Sequence, residues 1–281
     1  MAIDYDQALA LDIPEIEYTY TEKDTILYAL GLGFGHDPLD PTQLAYVYES
    51  GLRAFPTMAV VLGLVSFRNM GLGIDYAGIV HVGQSLRLYK PLPVAGTVYA
   101  KTSIREVVDL GDRGAMVVVA RTVRERTGAT LAEVEMSVLC RRDGNFGGKV
   151  TSLPPLSEIP DRKADYVCDV PMVPQQALIY RLSGDTNPLH VDPEVARKVG
   201  FDKPILHGLA TFGIVARAVV QTLFNGDEGR LRAIGGRFSA PVFPGETIRV
   251  EIWEENERAR VRARVQERDK VVFNNGYADF T

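Results

Sequence analysis

Cysteine is scarce in this chain, which has only Cys140 and Cys168 among its 281 residues. The two thiols lie far apart in the sequence and outside any CxxC spacing, so neither a disulfide framework nor a thiolate zinc site is indicated. The sequence therefore fits a reducing compartment. Its hydrophobic content of 46% is ample for a packed core.

Long apolar runs and an excess of positive charge are missing as well. No segment reaches about 18 consecutive uncharged apolar residues, and the acidic start MAIDYDQALALDIPEIEY has no basic region ahead of an apolar core. We therefore predict no membrane association and a cytoplasmic location. The formal net charge is −5, without any run of lysine or arginine. This argues against a nucleic-acid partner, because such binding depends on neutralising phosphates.

The chain contains an internal repeat, with an offset of roughly 150 residues between its two halves. Each half begins with a helix-like segment, at 24–31 and at 176–185. Each continues with an apolar segment that opens on a proline and has helical spacing, at 55–67 and at 203–223. We predict a long apolar helix for each of these later segments.

Each half ends in four runs of alternating apolar and polar residues, which are typical of strands. The runs occupy 79–92, 97–110, 114–126 and 130–142 in the first half, and 231–242, 247–256, 258–268 and 270–280 in the second. Glycine and proline are dense between the halves, which indicates a linker. We predict a first repeat at 1–145, a linker at 146–172 and a second repeat at 173–281.

The order of elements predicts an α+β fold in which each long helix is wrapped by an antiparallel sheet, since the inner face of such a sheet needs a helix to cover it. Two copies in one chain can pair their sheets edge to edge as a pseudo-dimer, which removes an exposed edge. The alternative is two α+β domains that resemble each other by chance.

The segment YRLSGDTNPLH, residues 180–190, concentrates groups that handle protons. Gly184 and Pro188 favour a loop, so Asp185, Asn187 and His190 can converge without helical spacing. A carboxylate and an imidazole around one water can divide the work of general acid–base catalysis, and an amide can hold that water. The alternative is that the aspartate caps a turn and the histidine binds backbone.

A second candidate is the pair His207 and Gly208. Pro204 suits a first helical turn, which places Gly208 near the start of the long helix in the second half. Backbone N–H groups at such a terminus lack helical partners and can stabilise charge on a carbonyl oxygen. The alternative is that Gly208 permits close packing on a strand and that His207 is an ordinary buried histidine.

Other chemistry has less support in the sequence. Asp185, His190 and Asp192 could supply metal ligands, but the spacing does not match a calcium loop, so we predict no metal. The string GLGFG lacks the GxGxxG spacing of a dinucleotide site. Ser183 has no GxSxG context and neither cysteine has a nearby histidine, so a nucleophilic mechanism is not indicated.

The segment 180–213, YRLSGDTNPLHVDPEVARKVGFDKPILHGLATFG, resembles the signature of the MaoC-like (R)-specific enoyl-CoA hydratases, also called hydratase 2. Shorter strings in matching order extend the resemblance over nearly the whole chain. These are YTEKDTILYALGLG, AYVYE, DGNFGG, RFSAPVFPGETI and NNGYADF. The resemblance is closest to the hydratase portion of the peroxisomal multifunctional beta-oxidation enzymes and to their stand-alone bacterial counterparts.

The resemblance implies a double hot-dog fold and the hydration of trans-2-enoyl-CoA to (3R)-hydroxyacyl-CoA in beta-oxidation. It implies a catalytic pair of Asp185 and His190, positioning by Asn187 and a carbonyl-binding N–H at Gly208. The residues that we expect to contact substrate are Tyr180, His207, Glu49, Ile205 and Leu206. No cofactor is implied, because coenzyme A enters as part of the substrate, and family members imply a homodimer.

The first half departs from this motif. Gly33 and Pro38 align with Asp185 and His190, so the first half is expected to be catalytically silent. The resemblance implies that it makes room for a long or bulky acyl chain, and the alternative is that it only completes the sheet. Two other functions stay open, namely a dehydratase of hydroxyacyl-CoA or hydroxyacyl-ACP and a non-catalytic acyl-CoA-binding module.

Overall fold

One antiparallel sheet of ten strands forms the framework of the protein in the computed structural model, which describes residues 3–75, 78–147 and 156–281. The strands are Ile16–Tyr20 (β1), Ile79–Leu88 (β2), Gly96–Asp109 (β3), Ala115–Glu125 (β4), Thr130–Cys140 (β5), Tyr166–Pro171 (β6), Leu231–Phe238 (β7), Thr247–Glu255 (β8), Arg258–Val265 (β9) and Lys270–Phe280 (β10). Eight of them are the alternating runs predicted from the sequence, because alternation places one face of each strand in the core.

The strand order shows that the two halves share one topology. It runs β1-β3-β4-β5-β2 in the first half and continues as β7-β10-β9-β8-β6 in the second, which is the same arrangement reversed. The halves join where β2 pairs antiparallel with β7, with Leu86 opposite Ile234. The predicted edge-to-edge pairing of two sheets is therefore confirmed.

Two short strands, β1 and β6, were not predicted. Each lies at an outer edge of the sheet, where β1 pairs with β3 and β6 pairs with β8. Strand β6 falls within the predicted linker at 146–172, and residues 148–155 of that linker lie outside the described residues. A strand of five or six residues shows too little alternation to be distinguished from a loop in sequence.

Six α-helices lie in the described part of the chain, and one of them is much longer than the others. The helices are Tyr5–Leu9 (α1), Glu22–Gly31 (α2), Pro41–Leu44 (α3), Gln176–Tyr180 (α4), Pro193–Lys198 (α5) and Gly208–Phe224 (α6). Helix α6 is buried on nearly all sides from Leu209 to Val220 because the sheet curls around it. In the residues that the structure describes, no helix combines the length and apolar character needed to cross a bilayer.

The described residues of the first half contain no counterpart of α6, which corrects the prediction of a long helix at 55–67. Residues Pro56–Val60 form a short 3₁₀ turn instead. Gly63 adopts a left-handed backbone with φ of +62°, and a Cβ there would lie 2.4 Å from the Cβ of Ala100 on β3. The chain therefore turns at Gly63, where it packs tightly against the sheet, and a helix does not continue through this turn. Apolar spacing alone does not reveal such a turn.

The halves also meet through helices α2 and α4. A Cβ on Gly31 would lie 3.2 Å from the Cα of Tyr180, so only a small residue fits this contact. The side-chain amide of Gln176 donates to the carbonyl oxygens of Leu30 and Gly31 at 2.9 and 2.7 Å, which satisfies the end of α2. This contact holds α4, and the loop that follows it, in a fixed position.

Candidate active site

The loop after α4 is shaped by its own side chains. Gly184 has φ of +119° and ends the preceding turn. The Asp185 carboxylate accepts the backbone N–H of Asn187 at 3.2 Å, and the Asn187 side-chain oxygen accepts the N–H of Leu189 at 3.1 Å. These two local bonds fix the backbone that presents Asp185 and His190. The observed role of Asn187 is therefore to position the loop.

His190 is held in one orientation with one nitrogen available. Its Nδ1 lies 2.8 Å from the carbonyl oxygen of Ile205, so Nδ1 carries the proton and donates. Nε2 then keeps its lone pair. Burial lowers the pKa of His190, while the Ile205 bond and the charge of Asp185 raise it by less. The ring is therefore neutral near pH 7, as a general base must be.

His207 links the loop to the start of α6. Its ring is fully buried, and Nε2 donates to the backbone oxygen of Asp185 at 3.1 Å. The ring also stacks on His190 with centroids 3.7 Å apart and planes 26° apart. Burial lowers the pKa of His207, and a charge on His190 lowers it further. His207 is therefore neutral, and its contacts keep Asp185 and His190 next to the helix.

The three side chains converge within the reach of one water molecule. One carboxylate oxygen of Asp185 and one ring nitrogen each of His190 and His207 all lie within 4.8 Å of one another. When one water oxygen forms two hydrogen bonds of about 2.8 Å, its two partner atoms lie nearly 5 Å apart. A water can therefore bind the carboxylate and the His190 imidazole at once.

Asp185, His190 and His207 are also of the types that bind metal ions. An imidazole binds a metal along the lone pair in its ring plane. Because the two histidine rings are nearly parallel and stacked at 3.7 Å, their lone pairs do not point at one common position. The geometry fits a bridging water better than a metal ion, and the absence of a metal stays a prediction.

The N-terminus of α6 lies beside this group. His207 precedes the first helical residue, Gly208, and among the described residues no side chain caps this end. The first N–H groups of the helix are therefore available as donors. A Cβ on Gly208 would lie 3.5 Å from the Phe238 ring and 3.7 Å from Nδ1 of His81, which are ordinary contacts. Close packing of the protein therefore does not require glycine here.

His81 belongs to the same site and was not predicted. It lies on β2 of the first half, at an irregularity in the pairing with β5. Its Nε2 lies 2.9 Å from the Gly83 oxygen and its ring meets the Phe238 ring edge to face, with centroids 4.9 Å apart. Burial lowers the pKa of His81 to about 4, although the Gly83 bond and the Asp185 charge oppose this. The first half thus contributes a neutral histidine next to Gly208.

Three of the residues expected to contact substrate surround the group. Tyr180 is fully buried, with its ring 5.1 Å from that of His207. Burial raises the pKa of Tyr180 well above its usual value. Ile205 orients His190 through its carbonyl oxygen. Leu206 is buried, and its N–H donates to the Val242 oxygen at 2.7 Å.

Glu49 is not brought to the site, which corrects the expectation that it binds substrate. The residue is exposed. Its neighbour Tyr46 is buried and donates to the oxygen of Gly226 at 3.0 Å, beyond the C-terminal end of α6. A helix of this length spans about 25 Å, so Glu49 lies near the opposite end from Gly208. The string AYVYE therefore anchors that end of the helix through its first tyrosine.

Two protein families match the two halves of the chain. Residues 18–142 match the family described as MFE-2 hydratase 2 N-terminal domain, and residues 156–275 match the family described as MaoC like domain. The chain belongs to the MaoC-like hydratase 2 family. An Arabidopsis thaliana relative named "Enoyl-CoA hydratase 2, peroxisomal" is 36% identical over 98% of this chain and 94% of its own length. A mouse relative named "Peroxisomal multifunctional enzyme type 2" is 38% identical, over 97% of this chain and 38% of its own length.

Solved structures agree with this family membership. A MaoC-like dehydratase from Phytophthora capsici has a TM-score of 0.89 and 34% identity, and the match covers 98% of each chain. A Mycobacterium tuberculosis protein described as having a double hot-dog fold has a TM-score of 0.56, 14% identity and coverage of 98% of this chain and 97% of its own. That second likeness concerns the fold alone, and with the observed sheet it confirms the predicted double hot-dog class.

Proposed function

We propose that the chain catalyses the reversible hydration of trans-2-enoyl-CoA to (3R)-hydroxyacyl-CoA, in beta-oxidation of fatty acids or of bulkier side chains. One observation carries the proposal. The Asp185 carboxylate and the neutral His190 imidazole lie within the span of one water, beside the uncapped N-terminus of α6. Water activation and carbonyl stabilisation are the two requirements for adding water to a conjugated thioester.

The proposed reaction begins with a water bound between Asp185 and His190. Nε2 of His190 accepts a proton as the water oxygen bonds to the beta carbon, and Asp185 orients the water. The electrons of the carbon–carbon double bond move toward the thioester oxygen, which gains enolate character. The protonated His190 then gives the proton from Nε2 to the alpha carbon on the same face, which returns the imidazole to its neutral form. The net result is addition of one hydroxyl and one hydrogen, and dehydration is the reverse.

The Gly208 N–H is the proposed donor to the thioester oxygen. Charge develops on that oxygen during the reaction, and the positive end of the α6 dipole favours it. Removing one such donor typically costs about 3 kcal/mol of transition-state stabilisation. Because Gly208 has no side chain, the thioester can approach the backbone closely.

The proposed acyl site lies in the first half, where the described residues form no long helix. A cleft there is lined by Val60, Leu64 and Leu209, and Leu209 directly follows Gly208. This placement supports an acyl chain that is long or bulky. The proposed mechanism uses no metal and no redox cofactor, and coenzyme A takes part only as the carrier of the acyl group.

A homodimer and a cytoplasmic location also belong to the proposal. Light scattering after size exclusion would give twice the chain mass of 30.9 kDa for a dimer. Fractionation of cells that express the tagged protein would locate it. The peroxisomal name of the Arabidopsis relative makes an organelle fraction the alternative result.

A direct assay of hydration tests the function. The protein would be incubated with short, long and steroid-side-chain trans-2-enoyl-CoA, and loss of the conjugated enoyl absorbance would be followed. The product would be resolved by chirality, and the (3R) isomer is expected. Binding without turnover would support a non-catalytic module instead. Turnover only with hydroxyacyl-ACP would support the carrier-protein dehydratase.

A further inference from the structure

A cleft beside the active site combines apolar walls with buried polar groups. It reaches Leu209 at the start of α6. Its floor is the inner face of β2, β3, β4 and β5 in the first half. Three polar side chains line it, namely Gln84, Thr102 and Arg121. An acyl chain that leaves the proposed thioester site along this cleft would meet them.

Arg121 is a buried cation that has no carboxylate partner in the part of the chain that the structure describes. The residue is 6% exposed, and no ion pair of Arg121 is found among the described residues. One nitrogen, Nη2, donates to the carbonyl oxygens of Val60 and Ala59. Burial lowers the pKa of Arg121 to about 10, so the guanidinium stays charged at pH 7. A lone charge in such a site is costly unless something completes its bonding.

Two unsatisfied polar atoms lie side by side on this floor. Thr102 and Arg121 are direct cross-strand partners on β3 and β4. The Thr102 hydroxyl oxygen and the Arg121 Nε are both buried, and neither has a hydrogen-bond partner within the described part of the chain. Buried polar groups in folded proteins are nearly always bonded. These two groups can donate hydrogen bonds to one oxygen atom.

A second buried arginine, on α6, illustrates the hydrogen bonding of a guanidinium that has only a structural role. Arg217 on α6 is 5% exposed. Its Nε, Nη1 and Nη2 donate to Gln221, to the Leu32 oxygen and to Gln43, at 2.9 to 3.1 Å. All three of its nitrogens are therefore used. Arg121, by contrast, lines a cleft, and its Nε has no acceptor among the described residues.

We propose that Arg121 and Thr102 form a polar subsite that binds an oxygen function on the acyl chain, distant from the thioester. The chemical class is a hydroxyl, keto or carboxylate oxygen, each of which accepts hydrogen bonds. The inference rests on the proposed function, because it assumes that the acyl chain of the substrate enters this cleft. It predicts that oxygenated acyl thioesters are preferred over plain alkyl ones of equal length.

The test compares matched enoyl-CoA substrates of medium and long chain length. For each length, a plain alkyl chain is paired with chains that end in a hydroxyl, a ketone or a carboxylate. The wild-type kcat/KM is expected to favour at least one oxygenated series by about tenfold, the usual effect of a hydrogen bond to a charged group. Thr102→Val and Arg121→Met should each remove most of that preference while changing the alkyl kcat/KM by less than about twofold.

Two variants serve as controls. Thr122→Val alters the next residue of β4, which is less buried than Arg121, and should leave the preference intact. Arg217→Met should lower thermal stability without changing the preference. A lack of preference at every chain length would overturn the inference, and so would an equal loss for alkyl and oxygenated substrates.

Calorimetry with saturated acyl-CoA pairs separates this inference from the proposed function. If the protein hydrates nothing yet binds oxygenated chains about tenfold more tightly, the subsite stands and the hydratase assignment fails. If it hydrates alkyl and oxygenated chains equally well, the hydratase assignment stands and the subsite fails. Thr102→Val is the decisive variant if Arg121→Met does not fold.

Discussion

At the scale of single residues, each group in the site is oriented by a bond that it does not need for chemistry. The Ile205 oxygen fixes the tautomer of His190, and the backbone oxygen of Asp185 fixes His207. The Asn187 side chain fixes the turn between Asp185 and His190. The polar residues of the motif therefore form one unit, in which Asn187 and two backbone oxygens determine where the side chains of the proposed catalytic pair lie.

The sequence revealed only part of this unit. Asp185, Asn187, His190 and Gly208 lie in one stretch, so their proximity could be predicted. His81 could not be placed, because its position depends on the pairing of β2 with β7, which brings a residue of the first half to the second. Glu49 was wrongly expected at the site, because a matching string does not show near which end of α6 its members lie.

The three histidines of the site predict how stability depends on pH. Burial lowers the pKa values of His81, His190 and His207. The unfolded chain therefore binds more protons than the folded one once the pH falls below about 6.5. The free energy of unfolding should be greatest above that pH and should decrease as the pH falls toward 4, the approximate pKa of His81.

Urea unfolding at a series of pH values measures this dependence. In His81→Gln one of the three imidazoles with a lowered pKa is removed, so the decrease between pH 6.5 and 4 should be shallower than in the wild type. His36→Gln is the control, since that residue lies outside the site. Identical curves for wild type and His81→Gln would show that His81 is not held neutral by its surroundings.

At the scale of elements, the two parts of α6 differ: its N-terminus belongs to the proposed active site, and its middle is closely packed. Its N-terminus lies beside Asp185 and His190, whereas its middle packs against α2. A Cβ on Gly213 would lie 2.5 Å from a methyl group of the buried Leu32, whereas a Cβ on Gly208 makes only ordinary contacts. Gly208 and Gly213, five residues apart, therefore favour glycine for different physical reasons.

Gly208→Ala and Gly213→Ala should consequently have opposite effects. Gly208→Ala should fold with unchanged or slightly higher stability, because alanine favours a helix by up to about 1 kcal/mol. Its kcat should fall by about a hundredfold as the methyl group obstructs the carbonyl site. Gly213→Ala should lower the free energy of unfolding by about 1 to 3 kcal/mol through overpacking, with a smaller effect on kcat.

Thermal melts and steady-state kinetics on both variants check this pair. Full activity in Gly208→Ala would mean that the thioester does not approach the start of α6. An unstable Gly208→Ala with normal kcat per folded molecule would assign the glycine to packing.

Element prediction from sequence succeeded where burial is regular. The eight inner strands alternate because one face of each meets the core, whereas β1 and β6 are short edge strands and were missed. The first-half helix failed for a local reason. Apolar spacing after Phe55 matches a helix, but Gly63 turns left-handed against Ala100. The tight contact that requires this turn comes from β3, more than thirty residues further along the chain.

At the scale of the whole molecule, the pairing of β2 with β7 makes one site from two unequal repeats. The second half supplies the loop and the helix end. The first half supplies His81 and the cleft with Arg121. The described residues of the first repeat form no long helix, which fits the proposed division of roles, in which one half performs the chemistry and the other receives the acyl chain.

Separation of the halves should expose this dependence. Residues 156–281 expressed alone would leave β7 as an exposed edge and remove the contact of Gly31 with Tyr180, so aggregation and no turnover are expected. Coexpression with residues 1–145 should yield a copurifying pair with recovered activity. A second half that is soluble and fully active alone would show that the first half is dispensable.

The most direct measurement is the turnover of trans-2-enoyl-CoA by the folded double variant Asp185→Asn/His190→Ala. General acid–base groups typically contribute 10²-fold to 10⁴-fold to a rate, so kcat/KM should fall by about a thousandfold or more, while circular dichroism and the melting temperature stay close to those of the wild type. If the double variant is folded and keeps kcat/KM within about tenfold of the wild-type value, the water is activated elsewhere and the assignment of this pair is wrong.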